Sequence, residues 1–251
     1  MTEGLHVAGW PLIADLPGIR PTRQRRSQET TVALLAAGAA MLRDCAFDEL
    51  SIDELCAEVG VTIGAFYGRF ESKDAFFSAL VSLATNGCLA AIDVAIANDD
   101  RTHASLKAVC YDMVAVVTEA IRANDGVLRA AMQYKAVQPA RWMTVRETGA
   151  GIVARAMPLL LAQMGPGRRA AKERTVGFAF QMVFGTLVNA VLNKPKLIAL
   201  DEQEMIDRLA LAMFLQLDHE ASGETSEAPP KTSPKPSHTG KTTSRRPSRK
   251  R

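Results

Sequence analysis

From Ser27 the chain carries apolar residues at Val32, Leu35, Ala39 and Leu42, with Ala36 widening the stripe, and this spacing predicts an amphipathic first helix. After "DCAFDEL", Ser51 precedes Glu54 by three residues, the interval at which an N-cap hydroxyl and a carboxylate satisfy each other's orphan amides. Ile52, Leu55, Cys56 and Val59 then form one face of a short second helix. Gly60 stops it, because glycine accepts the left-handed conformation that follows many helices. Thr62 can cap a third helix, and Ser72 with Asp74 can open a fourth. Two short capped helices separated by a glycine-containing turn are the signature of a helix-turn-helix.

The helical period continues downstream. Leu80, Ala84 and Cys88 extend the fourth helix, and Leu106, Val109, Cys110, Met113, Val117, Ala120 and Ile121 make a fifth, closed by "ANDG". "VLRAAMQYKAVQP" is a shorter piece and "ARWMTVRETGAGIVARAMPLLLAQMGPG" a longer one, which Pro158 is expected to kink or interrupt because it removes a backbone bond. "RRAAKERTVGFAFQMVFGTLVNAVLN" and "DEQEMIDRLALAMFLQL" supply two last helices on either side of "KPK". Nowhere is a period of two sustained, so the fold class is all-α, an N-terminal three-helix domain with a helix-turn-helix joined to a larger helical domain. The expected divisions are a basic N-terminal arm over 1–26, a helix-turn-helix domain over 27–75, a helical body over 76–218 and a disordered basic tail over 219–251.

Charge refines this division. The whole chain carries +3, yet eight basic and no acidic residues lie from Ala228 to Arg251, so everything before that is net negative. A nucleic-acid footprint on the body must therefore be local. Arg20, Arg23, Arg25 and Arg26, followed by Arg69 and Lys73, supply one. The tail reads either as a solvated tail or as a non-specific DNA arm. Cys45, Cys56, Cys88 and Cys110 match neither a metal knuckle nor a secreted disulfide framework and read as buried thiols. No uninterrupted apolar run reaches the roughly 18 residues of a spanning helix, and a cytoplasmic protein is expected. His6, His103, His219 and His238 show no metal-binding spacing, and neither a phosphate-cradling loop nor a nucleophile elbow is present, so no metal, cofactor or catalytic residue is expected.

In a helix-turn-helix the second helix of the pair enters the major groove with its first residues on the base edges. Here those are Thr62, Ile63, Gly64 and Ala65. Each mid-helix glycine costs about 1 kcal/mol relative to alanine. Gly64 and Gly68 thus point either to a partner that approaches closely or to tight helix packing within the chain. Ser51 and Thr62 sit at helix starts, which favour phosphate; Tyr67 offers a hydroxyl, and Lys73 is poorly placed for its own helix dipole. Phe66, Phe70, Phe76 and Phe77 are assigned to packing. Selectivity would rest on Thr62, thymine-methyl contacts from Ile63 and Ala65, Arg69 and DNA shape. Arg23, Arg25 and Arg26 are either minor-groove arginines or part of a solvated leader.

The run "SIDELCAEVGVTIGAFYGRFESKDAFF", preceded by "ALLAAGAAMLRDCAFDEL", resembles the N-terminal domain of TetR-type (tetracycline-repressor-like) transcriptional regulators over residues 27–82. A Gly-Val-Thr turn, a glycine two residues later, a Tyr-x-x-Phe segment and a Ser-Lys-Asp helix start agree in register, with Arg69 where the family often has histidine. The resemblance implies phosphate contacts from Tyr67 and Lys73, an effector-binding body, and a homodimer through the last two long helices, Arg169 to Asn193 and Asp201 to Leu217. Met113, Val117, Met132, Tyr134, Trp142, Met143, Met157 and Phe180 are the candidate effector contacts, since thioethers and aromatics suit an adaptable apolar cavity. The expectation is a repressor released from palindromic double-stranded DNA by an apolar or amphipathic small molecule, with an architectural DNA-binding protein or an all-helical enzyme as alternatives.

Overall fold

The structure, a computed structural model, describes residue 13 and residues 16–20, 24–97, 105–133 and 139–222, excluding the side chains of 139–142. Among them the chain forms α1 (Arg25–Met41), α2 (Ile52–Val59), α3 (Ile63–Tyr67), α4 (Lys73–Ala97), α5 (Leu106–Ala123), α6 (Asp125–Gln133), α7 (Pro139–Gln163), α8 (Arg169–Asn193) and α9 (Gln203–Ala221). The local signals act as expected around the short helices. Ser51 Oγ accepts from the Glu54 amide at 3.3 Å, Thr62 Oγ1 from the Ala65 amide at 3.1 Å, and Ser72 Oγ from the Ala75 amide at 3.0 Å. Gly60 ends α2 in the left-handed region at φ 74°.

Two hydrophobic cores result, and α4 runs through both. The N-terminal one gathers Leu34, Leu35 and Leu42 of α1, Leu55 of α2, Phe66 of α3, and Phe70, Phe76 and Phe77 around the start of α4. The buried face of α1 runs through Thr31, Leu34, Leu35 and Gly38, one position off the stripe read from the sequence, with Val32 and Ala39 half-buried. The second core joins the far half of α4 to α5, α7, α8 and α9 through residues such as Ile92, Met113, Leu160, Phe180 and Met213.

Three features differ from the sequence reading. The segment expected as a basic arm over 1–26 is, where described, a strap: Ile13, Leu16 and Ile19 are buried in the first core. Ile19 pairs with Phe70 in a lone antiparallel bridge, and the Arg20 amide donates to the Arg69 carbonyl at 2.7 Å. Apolar side chains, invisible to a reading that counted charges, decide its position. Pro158 does not interrupt α7, which runs through it to Gln163, with Ala156, Leu160 and Met164 buried around it. Finally, α4 and α8 are long and apolar enough to cross a membrane by length and composition, with mean hydropathies of 1.7 and 1.6. Scattered polar residues conceal this from a search for unbroken apolar runs, and both helices contribute faces to the cores. Of the tail expected from 219, residues 219–221 continue α9 and the stretch from 223 onward lies outside the described residues.

Candidate nucleic-acid interface and apolar cleft

The short helix α3 is clamped from behind. Phe66 is fully buried, its ring 5.1 Å from Phe70 and 5.4 Å from Phe76, and Phe70 meets Phe76 edge to face at 4.9 Å. Such pairs add about 0.5–1.5 kcal/mol each beyond the area they bury, and they leave the helix little freedom to roll. The opposite face is free of the core. Ile63 and Tyr67, one turn apart, remain 46 % and 45 % exposed, and Thr62 and Gly64 are exposed beside them. A methyl group built on Gly64 would meet only Thr62 Oγ1, at 3.8 Å. Intramolecular packing therefore places no demand for glycine there. Gly68 ends α3 with ordinary right-handed angles, a methyl there lying 3.2 Å from the Gly64 carbonyl.

The flanking groups are held to different degrees. Lys73 Nζ donates to the Asp48 carbonyl at 3.2 Å and sits 4.8 Å above the Phe47 ring, which ties its ammonium to the turn leading into α2, close in sequence to the half-buried Ser51. Ala65 is half-buried. Arg25 is exposed and pairs with Glu29 at 2.9 Å, Arg26 is exposed, and Arg23 lies outside the described residues. Arg69 points inward. Its Nε donates to the Ser27 carbonyl at 3.2 Å and its Nη1 to the Ala65 carbonyl at 2.6 Å, and burial holds its guanidinium pKa below the ordinary arginine value.

A cleft of about 730 Å3 opens in the body between α7 and α8, with α5 and α6 at its side. Its lining is mostly apolar, including Ile121, Leu128, Met132, Ile152, Val153 and Phe184, with Thr85, Arg146, Thr148 and Gln181 as polar members. Of the residues predicted from sequence, Met132 is in this lining. Met113, Val117 and Phe180 are buried in the body core, Met157 packs partly buried against it, and Met143 is exposed. Tyr134 and the Trp142 side chain lie outside the described residues. Most of these thioethers and aromatics thus serve the core, and three helix-interior glycines, Gly149, Gly177 and Gly185, line the cleft instead.

The helix α6 connects the two regions. Leu128 and Met132 line the cleft, while Arg129 donates through Nη2 to the Leu42 and Arg43 carbonyls at the end of α1, at 2.7 and 2.6 Å. A methyl built on Gly126 would stand 2.5 Å from the Leu42 carbonyl oxygen. The two backbones are in direct contact at that point.

Residues 34–80 match the family described as bacterial regulatory proteins, tetR family. No curated protein matches the chain in sequence. Among solved structures, the fold is similar to a TetR-family transcriptional regulator from Mesorhizobium loti, at 13 % identity and a TM-score of 0.58, over 80 % of this chain and 98 % of that one. A tetR-family regulator from Streptomyces coelicolor aligns at 15 % identity and 0.57, over 81 % and 92 %, and the TetR-family regulator PfmR from Thermus thermophilus at 15 % and 0.52, over 73 % and 96 %. The family match covers the strap-anchored helix-turn-helix and the structural likeness extends through the body, so the chain carries the N-terminal domain of the TetR family within the all-helical fold of that family's regulators.

Proposed function

We propose that this protein is a cytoplasmic, homodimeric, sequence-specific DNA-binding transcriptional repressor that leaves a palindromic operator when a small apolar or amphipathic effector occupies the α7–α8 cleft. The observation that carries the reading is α3: a short helix immobilised by buried rings presents Thr62, Ile63, Gly64 and Tyr67 outward, with open space where Gly64 lacks a side chain. Close approach of a duplex explains a glycine that the chain's own packing does not require. Ser51, Lys73, Arg25 and Arg26 flank this surface, and phosphate contacts from them would fix its register, while Ile63 and Ala65 would meet thymine methyls. Residues 27–75 are the proposed DNA-reading unit and 76–218 the effector and dimerisation unit.

The dimer reading is supported by α8 and α9. One side of α8 is buried through Val176, Phe180, Val183 and Leu187, yet Phe178 on α8 and Leu211 and Leu215 on α9 stay about half exposed. A second copy would cover them. Effector control needs different affinities for the DNA-competent and DNA-incompetent states. The helix α6 offers a route, since it borders the cleft on one side and grips the end of α1 on the other.

In-vitro selection from randomised duplex DNA, with the full chain and a Tyr67→Ala, Lys73→Ala control, tests the proposal. Enrichment of a palindrome by the parent and not by the control is expected. A folded parent that enriches nothing at low salt overturns specific DNA binding.

A further inference from the structure

We propose that Arg69 is a positioning residue that locks the angle of α3 against α1, and that it does not read base or phosphate. This rests on the reading of α3 as the DNA-contacting helix. A helix of five residues leaves most of its carbonyls without a following turn to bond them. At the end of α3 the Gly64 carbonyl accepts from the Gly68 amide at 3.0 Å, and the Phe66 carbonyl accepts from both Arg69 and Phe70 at 2.9 Å. The Arg69 amide thus turns to Phe66 instead of Ala65, and the Ala65 carbonyl is taken by Arg69 Nη1 at 2.6 Å.

The same guanidinium reaches in a second direction. Nε donates at 3.2 Å to the Ser27 carbonyl in the first turns of α1, an oxygen that also accepts from the buried Thr31 hydroxyl at 2.9 Å. The Arg69 carbonyl, for its part, accepts from the Arg20 amide of the strap at 2.7 Å. One residue therefore fastens α3, α1 and the strap to each other. Two bonds from adjacent nitrogens of a planar fork fix an angle as well as a distance, which a single ammonium cannot do. Withdrawing the side chain to reach a phosphate would break both bonds and leave the Ala65 carbonyl without its donor.

The test uses the full chain with Arg69→Lys and Arg69→Gln. Two readouts are taken: amide hydrogen exchange over residues 62–70, and binding to the selected palindrome and to a mixed-sequence duplex across a salt series. For Arg69→Lys we expect specific affinity to fall about tenfold or more while mixed-sequence binding and the salt slope stay as in the parent, with exchange over 62–70 faster by a similar factor. Arg69→Gln should behave alike with an unchanged slope. A slope lowered by about one in Arg69→Gln would put the guanidinium on a phosphate and overturn the proposal. So would full specific affinity, or unchanged exchange, in Arg69→Lys. If selection yields no palindrome, the DNA reading fails by itself, and exchange still reports whether Arg69 holds α3 in place.

Discussion

The core behind α3 is built around flat rings, with Phe66, Phe70 and Phe76 in mutual contact and Phe47 stacked on Phe77 at 4.3 Å, whereas the body beside α8 is mainly Val, Leu, Ile, Ala and Met around the Phe180–Phe184 pair and leaves an open cleft of about 730 Å3. Rings have few ways to interlock, and a surface built on them keeps one geometry. Thioethers and branched aliphatics repack at small cost. The contrast fits the proposed function, in which the α3 surface must hold its shape while the interior has room to respond.

Substitutions can break or sharpen this contrast. Phe70→Ala should cost about 3–5 kcal/mol in urea unfolding followed by circular dichroism, because the cavity opens where three rings meet; Met213→Leu in the body should cost less than about 1.5 kcal/mol. Similar losses at both sites would erase the distinction. Removing the caps comes next. Ser51→Ala and Thr62→Ala should each cost about 1 kcal/mol, and a loss confined to DNA affinity with stability intact would show the hydroxyls serving phosphate alone.

A gain is expected at Gly185, where an added methyl meets nothing within 4 Å. Gly185→Ala should raise stability by about 0.5–1 kcal/mol, and a drop would reveal that a partner or effector fills this space. The smallest effect near neutral pH concerns the thiols. Burial pushes Cys88 up to about 11 and Cys110 up to about 12 from an ordinary 9.0, so the folded chain holds its thiol protons more tightly than the unfolded one. Their contribution to stability is fully present below pH 9 and is lost as the pH rises toward those values. Both should resist an aromatic disulfide reagent at pH 8 until urea unfolds the protein, and fast labelling of either in the native state would contradict their burial.

The helix-turn-helix was legible in the sequence because its determinants are local: a hydroxyl three residues before an amide, a glycine at a left-handed position, rings at fixed offsets. Arg69 was legible as a cation and not as an anchor, since its carbonyl partner Ser27 lies forty-two residues away. The cleft was the least legible feature. It is defined by what several helices leave empty, and Met113 or Phe180 cannot declare from composition whether a neighbour covers them. The continuity of α7 through Pro158 has the same origin, because packing from other helices outweighs a local rule.

The strap bears on how the protein can be cut and extended. Gly18, at φ 84°, passes so close to the start of α4 that an added methyl would lie 2.9 Å from the Ala75 side chain and carbonyl, and Ile13, Leu16 and Ile19 fill the core beneath. A recombinant fragment begun at residue 27 would thus open a groove in the aromatic core and expose apolar surface prone to self-association. Shortening the chain past Ile13 removes part of the domain itself.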